Sequence, residues 1–62
     1  MTIYYVRNSA SWFLIKADTK QKAINEGAKD YGRIGLEVRK ATHAEIRYFK
    51  NLKGKDAIEE LD

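Results

Sequence analysis

The stretch IYYVRNSASWFLIKA, residues 3–17, decides the fold of this chain. Residues 3–7 and 12–17 are rich in aromatic and β-branched side chains, which favour strands. The polar residues 8–11, NSAS, lie between them and have the composition of a turn. Two such strands joined by a short polar turn form a β-hairpin, and we predict one here.

A helix is predicted directly after the hairpin. Asp18 offers a side-chain oxygen suited to an N-cap, and Gln21 has the position of the second partner in a capping box. Apolar and small side chains then recur at helical spacing as far as Tyr31. Gly32 suits the left-handed conformation that commonly ends a helix. The first helix is therefore expected over residues 19–31.

A third strand and a second helix follow. Residues 36–41 alternate apolar and charged side chains, which is typical of a strand with one buried face. Thr42 and Glu45 have the spacing of a capping box, and we predict a second helix over residues 43–53 that ends at Gly54. The apolar stripe expected to face the core consists of Ile46, Phe49 and Leu52.

These elements predict a small α+β domain of order β-β-α-β-α. The sheet is expected to have three strands, mainly antiparallel, packed with two helices. A right-handed crossover permits the third strand beside the first or beside the second, and we favour the first. Residues 1–55 form the domain in this interpretation, and residues 56–62 form an acidic C-terminal tail that is frayed or weakly docked.

The composition limits the class of protein. The chain has 62 residues and no cysteine, so it forms one domain at most, without disulfides or thiolate metal sites, and a reducing compartment fits it. The first residues lack the pattern of a signal peptide. The longest apolar runs, residues 3–6 and 12–15, are far shorter than the ~20 residues that cross a bilayer. We therefore expect a cytoplasmic protein with no membrane span.

Catalysis is not indicated by any motif. His43 is the only histidine, and it stands at the start of a predicted helix, where the helix dipole disfavours its charged form. A catalytic histidine needs a nucleophile or an orienting carboxylate, and a metal site needs further ligands at suitable spacing. We identify no catalytic, cofactor-binding or metal-binding residue, and we expect neither an enzyme nor a small-molecule substrate.

The hairpin carries the main hypothesis about function, because both of its faces are apolar. Assigning alternate residues to alternate faces groups Ile3, Tyr5, Phe13 and Ile15 on one face. The candidate binding face is then Tyr4, Val6, Trp12 and Leu14. If both helices cover one face, the other is exposed and suits a protein partner or a second copy of the chain. If the helices lie on opposite sides, both faces are core.

The charge distribution supports an alternative, binding to nucleic acid. The net charge is +3, and all 12 Lys and Arg residues lie in residues 1–55. The candidate phosphate-binding residues are Arg39, Arg47, Lys50, Lys53 and Lys55. Cations in the last turn of a helix also have a structural explanation, since they complement the helix dipole. A non-catalytic protein-interaction module is therefore the leading hypothesis.

A resemblance points in the same direction. The run WFLIKADTKQKAI, residues 12–24, followed by ATHAEIRYFKNLKG, residues 41–54, resembles small uncharacterised proteins encoded by bacteriophages and integrative elements of bacteria. The resemblance covers residues 2–54. It implies an accessory protein of a mobile element, a class that often acts by binding a host or phage factor.

Overall fold

The predicted hairpin is present in the computed structural model of the chain. Strands β1 (Thr2–Arg7) and β2 (Trp12–Ala17) pair in antiparallel orientation. Asn8 closes the turn, because its Oδ1 accepts hydrogen bonds from the backbone N–H groups of Ala10 at 2.9 Å and Ser11 at 2.8 Å. An asparagine side chain that satisfies backbone donors in this way substitutes for the missing ladder bonds of a turn.

The structure describes residues 1–54 and 57–61, and over these residues the sheet has the strand order β3-β1-β2-β4. Strand β3 (Glu37–Lys40) pairs with β1 in antiparallel orientation. The α+β class, the order of the first five elements and the place of the third strand beside the first are thus confirmed.

The sheet differs from the prediction by one short strand. Strand β4 (Glu59–Glu60) pairs in parallel with β2, so the sheet is mixed. The N–H of Leu61 donates to the carbonyl oxygen of Lys16 at 2.7 Å, and the Leu61 side chain packs against the core. A two-residue strand has no periodicity of its own, and it forms here because the outer edge of β2 offers it hydrogen bonds. Asp56 and Asp62 of the acidic tail lie outside the described residues.

Helix α1 (Lys20–Tyr31) begins one residue later than predicted. Its N-cap is Thr19, whose Oγ1 accepts the backbone N–H of Lys22 at 3.2 Å. Asp18, predicted as the cap, instead pairs with the Lys22 ammonium at 3.4 Å. Both side chains are good caps, so the sequence pattern alone does not choose between adjacent positions. The end of the helix at Gly32 is confirmed, with φ at 79°.

Helix α2 (His43–Lys53) has the predicted bounds. Thr42 Oγ1 accepts the backbone N–H of Glu45 at 3.1 Å, and the Glu45 carboxylate accepts the backbone N–H of Thr42 at 2.9 Å. This reciprocal pair is a complete capping box. The helix ends at Gly54 with φ at 105°, as expected. Neither described helix is long and apolar enough to cross a membrane.

The two helices cover opposite faces of the sheet. On one face, α1 approaches the hairpin at Gly27, where the backbone lies close to the side chains of Val6 and Leu36. On the other face, the Phe49 ring of α2 lies with its centroid 5.2 Å from that of Trp12. Both apolar faces of the hairpin are therefore covered, which is the second of the two arrangements considered from the sequence.

The predicted grouping of the hairpin side chains is wrong. The turn of residues 8–11 places Arg7 opposite Trp12 and Tyr4 opposite Ile15. Even-numbered residues of one strand therefore pair with odd-numbered residues of the other. Directly opposite residues point to the same face of a sheet. The four predicted protein-binding residues are consequently divided: Tyr4 and Val6 face α1, whereas Trp12 and Leu14 face α2.

Candidate functional site

Three aromatic rings stack on the α2 side of the sheet. The ring centroids of Tyr5 and Trp12 are 5.6 Å apart with an interplanar angle of 25°, and those of Trp12 and Tyr48 are 6.1 Å apart with an angle of 26°. The Arg39 guanidinium carbon lies 4.2 Å from the Tyr5 ring centroid, which extends the stack by a cation–π contact. We call Tyr5, Trp12 and Tyr48 the aromatic row.

The fold brings the aromatic row together from three elements. Tyr5 in β1 lies opposite Leu14, so Trp12 at the start of β2 is its diagonal neighbour on the same face. The capping box starts α2 directly after β3 and carries Tyr48 over the hairpin. Phe49, the next residue, is buried against Trp12 at an interplanar angle of 56° and fixes the rotation of the helix.

The outer end of the aromatic row is exposed. The Tyr48 side chain is 59% exposed, and Leu52, one helical turn further along α2, is 58% exposed. Trp12, beneath Tyr48, is partly buried. These three residues, Trp12, Tyr48 and Leu52, are called the apolar patch below. Large apolar side chains exposed on one flank of a helix are typical of interaction sites.

An ion pair at the Tyr5 end of the aromatic row fastens α2 to β3. Arg39 Nη1 donates to Glu45 Oε1 at 2.9 Å and Arg39 Nη2 donates to Glu45 Oε2 at 2.6 Å. These bonds lower the pKa of Glu45 to about 2, against an ordinary value of 4.5, and the same pairing raises the pKa of Arg39. A bidentate pair of this geometry holds both side chains in one orientation.

Of the predicted protein-binding residues, only Trp12 reaches the apolar patch. Tyr4, Val6 and Leu14 are buried in the core. Tyr48 and Leu52 were not predicted as binding residues, and the expectation that Leu52 faces the core is wrong. The sequence signal that identifies them is their spacing of four residues on one helix, which places them on the same flank.

The candidate nucleic-acid residues are distributed over two elements. Arg47, Lys50 and Lys53 are exposed on α2, and none of them forms an ion pair with another residue in the described part of the chain. Arg39 is held by Glu45 and is not grouped with them. Lys55 lies outside the described residues.

His43 is exposed at the first residue of α2. Within residues 1–54 and 57–61, there is no group of three or more His, Cys, Asp or Glu side chains placed to hold a metal ion. The apolar patch combines aromatic and aliphatic side chains, a composition typical of the centre of protein interfaces.

Comparisons with protein-family models, with curated proteins and with solved structures find no match to this chain. The resemblance to mobile-element proteins therefore stays a prediction. The function of the chain has to be inferred from the chemistry of its own surface.

Proposed function

We propose that this chain is a non-catalytic protein-binding module and that the apolar patch is its binding site. The single observation that carries this proposal is the exposure of Tyr48 and Leu52 beside the stacked Trp12 ring. Fully burying a large apolar side chain is worth about 1.5–3 kcal/mol, and Tyr48 and Leu52 each keep more than half of their surface in water. A partner that covers the patch recovers the corresponding part of this free energy.

The rigidity of the aromatic row supports the same proposal. Tyr48 stacks on Trp12, and Trp12 contacts both Tyr5 and the buried Phe49. A side chain that is already held in one orientation loses little conformational entropy on binding. Tyrosine and tryptophan held in this way are the residues that most often dominate the binding energy of an interface.

The cations elsewhere on α2 favour an acidic partner. Arg47, Lys50 and Lys53 lie on the same helix as Tyr48 and Leu52 and are exposed. Complementary charge at the rim of an interface speeds association and disfavours partners of like charge. The partner we propose is a protein with an apolar contact surface bordered by Asp and Glu.

The test compares two substitutions with a matched control. A bait carrying Tyr48→Ala and Leu52→Ala is used beside the wild type to capture proteins, and Ile34→Ala, which removes an exposed apolar side chain elsewhere, is the control. A captured protein is then purified, and its affinity for each variant is measured by Trp12 fluorescence. Loss of a hot-spot side chain costs at least about 2 kcal/mol, so we expect binding roughly 30-fold weaker for Tyr48→Ala.

Two outcomes contradict the proposal. Equal affinity of the Tyr48→Ala, Leu52→Ala and Ile34→Ala variants for a purified partner shows that the apolar patch is not the contact surface. The second outcome is that the chain dimerises in sedimentation experiments and that Tyr48→Ala abolishes the dimer. The partner is then a second copy of the chain, bound through a symmetric interface, and not a different protein.

One observation favours a second candidate, binding to single-stranded nucleic acid. The exposed Tyr48 ring continues an aromatic stack and lies on the helix that carries Arg47, Lys50 and Lys53. Bases stack on such rings while cations contact phosphates. Fluorescence titration with single- and double-stranded DNA and RNA tests this candidate. Salt-sensitive binding that is lost in the variant Arg47→Glu/Lys50→Glu supports it, whereas no saturable response excludes it.

A further inference from the structure

Strand β3 forms an outer edge of the sheet, on the opposite side of β1 from β2. The N–H of Ala41 donates to the carbonyl oxygen of Ile3 at 3.0 Å, which marks a hydrogen-bonded pair at the end of the ladder. Because bonded and non-bonded pairs alternate in an antiparallel ladder, Arg39 directs its backbone groups to β1. Val38 and Lys40 therefore direct theirs outward.

The outward groups form a short hydrogen-bonding edge. The carbonyl oxygen of Lys40 already accepts a hydrogen bond from Arg39 Nη1 at 3.1 Å. No strand in the described part of the chain pairs with the outer side of β3. The N–H and C=O of Val38 and the N–H of Lys40 are thus positioned for an added strand, as in domains that bind peptides by extending a sheet.

A groove runs beside this edge on the face of the sheet that α1 covers. It has a volume of about 260 Å³ and is lined by Lys20, Ile24, Arg33, Leu36 and Val38. Its floor is apolar, and its two charged groups are cations.

The charge of the groove is complementary to an acidic ligand. The Lys40 side chain points to the same face as Val38, because the two are separated by two positions in a strand. Glu37 and Glu45 lie on the other face, where Arg7 and Arg39 pair with them. These two carboxylates are therefore paired with cations and directed away from the groove, and Asp18 and Glu26 near Lys20 and Ile24 pair with Lys22 and Lys29.

We propose that the outer edge of β3 binds an extended acidic peptide of another protein. Its backbone pairs with Val38 and Lys40, its apolar side chains enter the groove between α1 and β3, and its carboxylates meet Lys20 and Arg33. Side chains of an added strand alternate between its faces, so every second residue of the peptide points to the α1 side, and these residues carry both the apolar and the acidic contacts. This surface is separate from the apolar patch, which lies on the α2 face.

The chain itself contains a segment of this chemistry at its other sheet edge. Glu59 and Glu60 pair with β2, and Leu61 follows them and packs against the core. An acidic strand with an adjacent leucine thus docks on an edge of this sheet. In the structure that segment is paired with β2 of its own chain, which leaves β3 for a partner.

The experiment screens the full chain against two displayed libraries of short peptides. One library has an apolar residue and Asp or Glu in turn at every second position, with Ser or Thr between them, and the other has Lys or Arg in place of the acidic residues. We expect enrichment from the acidic library alone. Absence of enrichment over the basic library overturns the proposal.

Enriched peptides are then synthesised and their affinities measured by fluorescence anisotropy. We expect Lys20→Glu/Arg33→Glu to weaken binding at least about tenfold, since two favourable charge contacts become repulsive. Arg47→Glu/Lys50→Glu makes the same charge change on α2 and is expected to have little effect. An affinity that responds to the α2 variant instead assigns the peptide to α2 and refutes the groove.

Strand addition is tested separately from charge. Lys40→Pro removes an outward N–H without removing a bond to β1, and proline is tolerated at such edge positions. Lys40→Ala removes the same charge but retains the N–H, and circular dichroism checks the folding of both. We expect Lys40→Pro to weaken binding several-fold more than Lys40→Ala does. Equal losses of affinity in the two variants refute strand pairing. If the chain dimerises and Lys40→Pro abolishes the dimer, the segment bound at β3 is the tail of a second copy and not a peptide of another protein.

Discussion

Gly27 makes the closest approach between α1 and the sheet, and replacing it with alanine tests the packing of that face. A Cβ atom at this position lies 2.7 Å from Val6 Cγ1 and 3.4 Å from Leu36 Cδ1. Val6 is fully buried, and its β-branched side chain has little freedom to rotate. The methyl group therefore has to displace the helix from the sheet.

Two opposing contributions determine the effect of Gly27→Ala on the free energy of unfolding. Alanine stabilises a helix interior by about 1 kcal/mol relative to glycine. Overpacking a filled core costs roughly 1–3 kcal/mol. We expect a net destabilisation of about 1 kcal/mol, a large fraction of the ~3–9 kcal/mol expected for a domain of this size.

A double-mutant cycle with Val6→Ala isolates the contact. Val6→Ala removes the Cγ1 atom that the new methyl group meets, so Gly27→Ala becomes stabilising by up to about 1 kcal/mol in that background. Urea denaturation measures the free energy of unfolding of the wild type, the two single variants and the double variant. Ala28→Gly measures the difference in helix propensity between alanine and glycine at the adjacent position. Stabilisation by Gly27→Ala in the wild-type background, or the same effect in both backgrounds, refutes the reasoning.

Three further substitutions give distinct results. Folding lowers the pKa of Glu45 from 4.5 to about 2, so the stability that its ionised form contributes is present above about pH 4.5 and is lost towards pH 2. We expect Tm to depend less on pH over this range in Glu45→Gln than in the wild type. An unchanged slope contradicts this. Asn8→Ala removes the acceptor of two backbone N–H groups and should lower the free energy of unfolding, measured with urea, by about 1 kcal/mol. Asn8→Asp retains an acceptor oxygen and should lower it less. Equal losses of stability in the two variants argue against the side-chain hydrogen bonds. Leu61→Ala should speed hydrogen exchange of its own amide, which bonds to Lys16, more than that of amides in β1; uniform acceleration would indicate global destabilisation instead.

Local signals account for the parts of the fold that the sequence predicts well. Thr42 and Glu45 lie three residues apart and make their bonds within one helical turn, so their pattern is sufficient to place the start of α2. Gly54 likewise ends the helix through its own backbone conformation. The order of elements and the handedness of the crossover limit β3 to a place beside β1 or beside β2, and in the structure it pairs with β1.

The candidate site depends on non-local geometry that these signals do not contain. Both faces of the hairpin are apolar, so hydrophobic alternation cannot decide whether Tyr4 or Tyr5 shares a face with Trp12. That choice is made by the length of the turn at Asn8. The exposure of Tyr48 depends on the rotation of α2 about Phe49, a tertiary contact that periodicity within the helix does not determine.

The position of Trp12 has a consequence for spectroscopy. It is the only tryptophan in the chain, and the rings around it belong to the hairpin and to α2, whereas α1 lies on the far side of the sheet. Its emission therefore reports the detachment of α2 and is insensitive to the melting of α1. Circular dichroism detects both helices, so coincident melting curves from the two methods would show that the layers on either side of the sheet unfold as one cooperative unit.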